Sequence, residues 1–394
     1  MQNASNIITD TQIKAIAKDL QFTLCAVTPA TKTAYQAQLK QWLKDKKQGQ
    51  MHYLENHFPQ RTDPNILLPG AKYIICLADQ YPNKISQTKT QNQNPQALHH
   101  ASPAKGKIAR YAWGEDYHNT IKTRLHQLAD TLALQFPGHQ FKSATDTAPI
   151  LEREHATRAG LGWTGKNTLL INPNKGSYLL LGQIVTTLPI SIAQPAIVTD
   201  HCGSCTKCIQ ACPTQAIDPA GYTMDGSKCI SYLTLEYRDI IPQKSHQPIG
   251  QWIAGCDICQ EVCPHNHPET LTKKQNRYAA ADTLTAEIPQ AYQVKPLAQG
   301  LSLLDILHWQ AEDRLRVFKK SALKRMKLHM VQRNALVAAG NDLIDLKKQK
   351  NQHAEMQNDR QKLYEKIKAL ASDDQAHEMV STTAQQVLTR LDNA

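Results

Sequence analysis

Apolar positions recur at helical spacing from Thr11 to about Leu20, and a strand-like run from Phe22 to Val27 follows at once. A second helical pattern near Tyr35 to Lys47 precedes Met51-His-Tyr-Leu. Beyond Arg61, a Pro-Gly break leads into the apolar run Tyr-Ile-Ile-Cys-Leu, which reads as a buried strand. Residues 82–105 are rich in Gln, Asn, Lys, Ser and Pro, and read as a solvent-exposed loop. Order resumes at Gly106, with a helix running to about Phe136. A Thr-x-Pro start at Thr147 opens a helix into Arg158, and Leu169 to Ile171 and Tyr178 to Thr187 read as strands joined through the turn Asn-Pro-Asn-Lys-Gly. Alternating helices and strands predict an α/β layer fold. After about residue 270 helical patterns take over. Asn334 to Asn341 and a helix from Ser381 to Leu391 predict stacked helix pairs, too few for a full solenoid.

A chain of 394 residues has room for two or three domains, each with a sizeable core. The first thirty residues lack a basic segment followed by an apolar one. No apolar stretch approaches the roughly 18 residues of a membrane span, so a cytoplasmic protein without a membrane partner is expected.

The most specific chemistry begins at Cys202. Cys202, Cys205, Cys208 and Cys212 stand in the spacing C-x2-C-x2-C-x3-C, with Pro213 following. Three thiolates two residues apart curl round one iron-sulfur cubane, and the fourth, after a longer step, serves a neighbouring cluster. A second set, Cys256, Cys259 and Cys263 followed by Pro264, superposes on the first, with Ile253 in the slot equivalent to Cys202. Cys229, between the motifs, replaces that missing ligand. One cluster is therefore assigned to Cys202, Cys205, Cys208 and Cys263, and another to Cys212, Cys229, Cys256 and Cys259. C-x2-C pairs also bind zinc or form disulfides. A third cysteine in the run and the two Cys-Pro endings favour two 4Fe-4S clusters, which imply a reducing compartment. Cys25 and Cys76 lie in short apolar runs and are expected in buried strands.

A formal charge of +11 points to an anionic partner, nucleic acid first, although general solubility explains it too. Its placement favours the former. Between Arg314 and Arg333 stand Arg314, Arg316, Lys319, Lys320, Lys324, Arg325, Lys327 and Arg333, without an acidic residue. Leu315, Phe318, Leu323, Met326, Met330 and Val331 are interspersed, so the basic residues are expected on outward, phosphate-binding helix faces.

Two segments of the first half carry polar residues in suggestive spacing. Arg110, Tyr111, Asp116, Tyr117 and His118 fit either a ligand pocket or a capped helix start with aromatics packed beneath it. Asp146, ahead of Thr-x-Pro, fits an N-terminal cap, and Gly160, Gly162 and Gly165 make a loop able to approach a bulky ligand.

With these motifs in hand, the chain resembles the epoxyqueuosine reductases. The resemblance rests on Arg61-x-Asp-Pro with Leu-Pro-Gly-Ala-Lys, Ala109-Arg-Tyr-Ala with Gly114-x-Asp-Tyr-His, Asp146-Thr-x-Pro-x-Leu-Glu-Arg, Arg158-Ala-Gly-Leu-Gly-Trp-x-Gly-Lys-Asn, both cysteine motifs, Cys229-Ile-Ser-Tyr-Leu-Thr and Arg333-Asn-Ala. Ala148 and Thr164 stand where the family often has Gly and Ile, and the insertion at 82–105 departs further. The resemblance implies an α+β multidomain chain: an α/β cobalamin-binding catalytic domain (1–195), a two-cluster ferredoxin-like domain (196–270) and a HEAT-like α-helical domain that helps bind tRNA (271–394). It implies reduction of epoxyqueuosine to queuosine at the tRNA wobble position by cob(I)alamin, formed from cob(II)alamin with electrons from the clusters. Asp146 falls at the family's proton donor, and Arg61, Leu170, Leu181, Ser231 and Asp257 at positions expected to contact cobalamin. The expected partners are tRNA carrying epoxyqueuosine in its anticodon loop and a low-potential electron donor. The expected state is a monomer. A reductive dehalogenase or a ferredoxin-type carrier shares parts of this pattern, but neither has work for the basic helical stretch.

Overall fold

The strand predicted after the Pro-Gly break is Tyr73–Gln80. It occupies an inner position of a four-stranded sheet ordered Leu24–Pro29, Tyr73–Gln80, Leu179–Thr186, Phe141–Ala144, antiparallel throughout. Ile74 to Ala78 are all buried, as expected of an inner strand covered on both faces. Cys25 and Cys76 are buried on adjacent strands of this sheet, as their apolar surroundings predicted. The computed structural model describes residues 7–82, 104–193, 197–267, 284, 287–293, 296–348 and 354–394. The loop expected at 82–105 falls almost wholly outside them, and Lys105, its last residue, opens the strand Lys105–Ile108.

The chain divides into two units. The first comprises Met1–Asn83, Glu115–Gly226 and Ile258–Gln293; the second comprises Lys84–Gly114, Ser227–Asp257 and Val294–Ala394. Both contain helices and strands, so the fold is mixed α/β. No helix among the described residues is long and apolar enough to cross a membrane.

In the first unit the long helix Tyr117–Gln135 lies against the sheet through Ile121, Leu125, Leu128 and Leu132, each buried side chain stabilising by about 1.5–3 kcal/mol. Asp116 caps it, accepting the His118 N–H at 3.1 Å, so the capping expected there is present. Asp79, fully buried on the sheet, is paired with Arg124 of the same helix and accepts the Tyr292 hydroxyl at 2.8 Å. Burial pushes the Asp79 carboxyl up, against the pull of Arg124. Gly162 reflects crowding from within the chain: a Cβ there would lie 2.2 Å from the Ile171 carbonyl oxygen. The close approach expected of this glycine loop is to its own strand Leu170–Ile171.

In the second unit Lys105–Ile108 pairs in parallel with Trp252–Ala254 and antiparallel with Leu301–Ser302. Helices follow at Leu303–His308, Ala311–Phe318, Leu328–Lys348, Ala354–Ala371 and Glu378–Asp392, the last three packing on one another. Phe318, Leu323, Met326 and Val331 enter the core, as their spacing predicted.

One basic residue does not lie where its charge suggested. Arg333 is completely buried, and its guanidinium donates to the carbonyls of Leu233 (2.9 Å), Tyr237 (2.9 Å) and Asp239 (2.6 Å) and to Asn334 Oδ1. Asn334 donates in turn to the carbonyls of Thr234 and Ile253, both at 2.8 Å. Arg333 thus clasps the 233–239 segment to the helix Leu328–Lys348, which removes it from the phosphate-facing set. Arg333→Met should lower stability to denaturant by at least about 3 kcal/mol because it strands buried carbonyls, whereas Lys320→Ala should change it by less than about 0.5 kcal/mol.

Candidate active site and cysteine centre

At the end of the Phe141–Ala144 strand the Thr145 hydroxyl donates to the Leu181 carbonyl at 2.9 Å, and Asp146 turns the chain with φ of +45°. That left-handed conformation costs a non-glycine residue energy and is held by surrounding bonds. The Asp146 N–H donates to Glu152 Oε1 at 2.9 Å. The helix that follows is Glu152–Arg158, beginning six residues later, with Leu151 at its N-cap and no side-chain cap. Asp146 is therefore not the N-cap of that helix, and its side chain is 52% exposed.

That side chain meets His118. Nε2 of His118 lies 2.8 Å from Asp146 Oδ2, and Nδ1 lies 2.6 Å from Asp116 Oδ1. Tyr117 stacks on the imidazole with centroids 4.0 Å apart. Burial pulls the His118 pKa down, but the hydrogen bonds to Asp146 and Asp116 outweigh it and hold the imidazolium above its usual range. Loss of water around Glu152, followed by the charge of Asp146, pushes its carboxyl up to about 8. Arg61 is buried nearby, its pKa lowered by burial against the fields of Tyr53, Glu152 and Asp146. Its Nε has no hydrogen-bond partner among the described residues, an orphan donor suited to a ligand's acceptor. The segment holding Asp116 and His118 is thus a capped helix start whose imidazole also meets Asp146.

The same unit holds the first cysteine set. Cys205 N–H donates to the Cys202 carbonyl at 2.9 Å, and Cys208 rides on the short helix Lys207–Ala211. Cys263 and Cys202 pack with Trp163, Ile171 and Val198. Burial pushes the Cys263 thiol up to about 11, with further contributions from Cys202, Cys208 and Cys205. All ten cysteines are free thiols, which excludes the disulfide alternative. Among the described residues no three or more His, Cys, Asp or Glu converge as one metal ion's ligands. Lys166 closes over this loop: its N–H donates to Cys202 Sγ at 3.5 Å, and its ammonium to the carbonyls of Gly203 (2.6 Å) and Cys205 (3.2 Å).

Of the remaining expected positions, Leu170 is buried in the strand Leu170–Ile171, and Leu181 is half-buried in the sheet. In the second unit Ser231 lies in the helix Ile230–Leu235, which Cys229 precedes, and buried Asp257 accepts the Arg110 N–H at 2.8 Å. Cys256 follows the strand Trp252–Ala254, while Cys212 and Cys259 belong to the first unit. Arg314, Leu315, Arg316, Phe318, Lys319 and Lys324 line a groove of ≈ 340 Å³. Arg316, Lys319, Lys320, Lys324, Arg325 and Lys327 are exposed. Arg314 spends one nitrogen on the carbonyls of Lys324 and Met326, and Arg325 pairs with Glu236 at 2.5 Å.

The comparisons agree with one another. A family model described as "Epoxyqueuosine reductase QueG, DUF1730" matches residues 61–147, and one described as a 4Fe-4S double cluster binding domain matches 201–266. The epoxyqueuosine reductase of Cyclobacterium marinum is 38% identical over 332 residues, 84% of this chain and 97% of the relative. That of Escherichia coli is 33% identical over 331 residues, 84% of this chain and 80% of the relative. A crystal structure of epoxyqueuosine reductase with an epoxyqueuosine-modified tRNA-Tyr stem loop is 25% identical, with a TM-score of 0.73 over 97% of this chain and 98% of that one.

Both raised groups of the Asp146 site bind protons more tightly folded than unfolded. Folding stability should therefore fall as pH rises from about 5 toward 8 or 9, through the Glu152 and His118 titrations. Glu152→Gln should flatten that slope, compared by denaturant unfolding at pH 5 and pH 8.5.

Proposed function

The chain belongs to the epoxyqueuosine reductase family, and we propose that it reduces epoxyqueuosine at the tRNA wobble position to queuosine, the last step of queuosine biosynthesis. The observation that carries the chemistry is Asp146, half-exposed on a left-handed turn and hydrogen-bonded to an imidazole. Conversion of an epoxide to an alkene breaks two carbon–oxygen bonds and consumes two electrons and two protons, with the oxygen leaving as water. Asp146 is the proton donor to that oxygen.

No side chain supplies low-potential electrons, so they come from bound groups. Cobalamin, when bound, would provide the reductant in contact with the substrate, and iron-sulfur clusters would recharge it one electron at a time from a low-potential donor. The corrinoid carries amide carbonyls and a phosphate, acceptors that the orphaned Arg61 Nε fits. Leu170, Leu181, Ser231 and Asp257 complete the proposed contacts. Cys202, Cys205, Cys208 and Cys263 hold one 4Fe-4S cluster, and Cys212, Cys229, Cys256 and Cys259 hold the second.

The tRNA anticodon loop is bound through phosphates at Arg314, Arg316, Lys319, Lys320, Lys324, Arg325 and Lys327; the lining of one groove by Arg314, Arg316, Lys319 and Lys324 supports the assignment. The proposed division is catalytic to about residue 195, ferredoxin-like to about 270 and HEAT-like beyond, in a cytoplasmic monomer.

Anaerobic purification and reconstitution with cobalamin should yield about eight irons and one cobalt per chain. In that preparation Asp146→Asn should abolish turnover of epoxyqueuosine-tRNA with iron content unchanged, and iron without retained cobalt would remove the proposed reaction centre. Charge reversal at Lys319, Lys320 and Lys324 together should raise KM for the tRNA by about tenfold or more and leave the iron in place. Loss of iron from that variant would make the stretch structural.

A further inference from the structure

The turn at Asp146 leaves one question of chemistry open: a half-exposed carboxyl is ordinarily ionised at neutral pH, yet the reaction asks it for a proton. The groups around it answer in their geometry. Asp116 is fixed first, because the oxygen that caps the Tyr117–Gln135 helix by accepting the His118 N–H also faces His118 Nδ1 at 2.6 Å. A carboxylate there keeps a hydrogen on Nδ1, since that nitrogen must donate. The ring is further held by Tyr117, stacked at 4.0 Å. Only Nε2 is then left to gain or lose a proton, and it lies 2.8 Å from Asp146 Oδ2.

We propose that His118 is a positioning residue that holds the proton delivered by Asp146, passing it from Nε2 to Oδ2 as Asp146 protonates the departing oxygen. This rests on the reading of Asp146 as proton donor. The transfer balances without any redox change. The O–H bond of Asp146 breaks as the substrate oxygen takes its proton; the Nε2–H bond breaks as Oδ2 is reprotonated; neutral imidazole, still donating from Nδ1 to Asp116, regains its proton from solvent. The other groups around the pair come from separate elements. Glu152 on the following helix accepts the Asp146 N–H, and Arg61, buried on Phe58–Thr62, places a cation in the field of Asp146. Arg153 adds a cation beside Glu152. The raised imidazolium range of His118 agrees with its holding a proton near neutrality.

The test compares pH profiles of epoxyqueuosine-tRNA turnover by the reconstituted enzyme and its His118→Gln variant. Glutamine preserves a donor toward Asp146 but has no group that ionises near neutrality, so it cannot give up a proton as an acid. The expected result is a fall in kcat of about 10–100-fold near neutrality, with activity recovering toward acid pH as solvent protonates Asp146 directly, and with KM and iron content unchanged. A variant profile of wild-type shape would overturn the proposal, as would a pH-independent loss or one shared with iron. To separate chemistry from loss of fold in His118→Gln, the imidazole is also titrated by ¹⁵N NMR in the wild type and in Asp146→Asn. A protonated imidazole near neutrality, whose titration moves to lower pH in Asp146→Asn, is expected; no movement would refute the coupling. Turnover retained in Asp146→Asn would instead sink the proton-donor reading, whatever His118 does.

Discussion

The left-handed backbone of Asp146 is the constraint on which the reacting end of the first unit depends. An L-residue at φ of +45° is tolerated only when its neighbours hold it, and they do so from both sides. Thr145 is tied to the Leu181 carbonyl, so the turn starts from the sheet, and the Asp146 N–H is tied to Glu152, so it ends at the next helix. With both flanks fixed, the side chain points away from the backbone that made it, toward His118. An ordinary helix cap at this position would have spent the carboxylate on backbone N–H groups. The strained turn spends the N–H on Glu152 and keeps the carboxylate.

Buried charge in the second unit works in the opposite sense, since Arg333 gives its whole guanidinium to the fold. Its burial is tolerable because four acceptors replace the lost water. Lys319, Lys320 and Lys324 keep their ammonium groups in solvent, where they can meet phosphate. A run of one charge sign therefore contains two populations. Spacing does not separate them, because what buries Arg333 is a set of carbonyls about a hundred residues earlier in the chain.

The same limit explains what was legible elsewhere. Helices and strands set by local periodicity, such as Tyr117–Gln135 and Tyr73–Gln80, were readable because each face meets a partner of matching polarity. The 4Fe-4S binding segment was readable because cluster geometry imposes short, fixed cysteine spacings. The two units were not, since each is assembled from three separated segments and strand pairing such as that of Lys105–Ile108 with Trp252–Ala254 leaves no local mark. His118 was visible as one of several polar residues near a helix start. Its contact with Asp146 joins segments 28 residues apart, and nothing in either segment announces it. Gly162 shows a related limit: a glycine records a close approach without saying what approaches.

The stretch from Asp146 to Ile171 joins the Asp146–His118 pair to the loop carrying Cys202 and Cys205 within one unit. It begins at the strained turn, runs through the helix Glu152–Arg158, seats Gly162 on Ile171 and places Lys166 over the loop carrying Cys202 and Cys205. The same seat is fixed from the far side, where Asn266, three residues past Cys263, accepts the Ser177 N–H at 2.7 Å and packs where any Cβ on Gly176 would lie. Packing this close leaves little freedom for either end to shift alone, because interiors at crystal-like density transmit displacement. On the proposed function, proton supply and electron supply reach one substrate in a fixed relation, and a single short, tightly seated segment would let the chain hold its part of both.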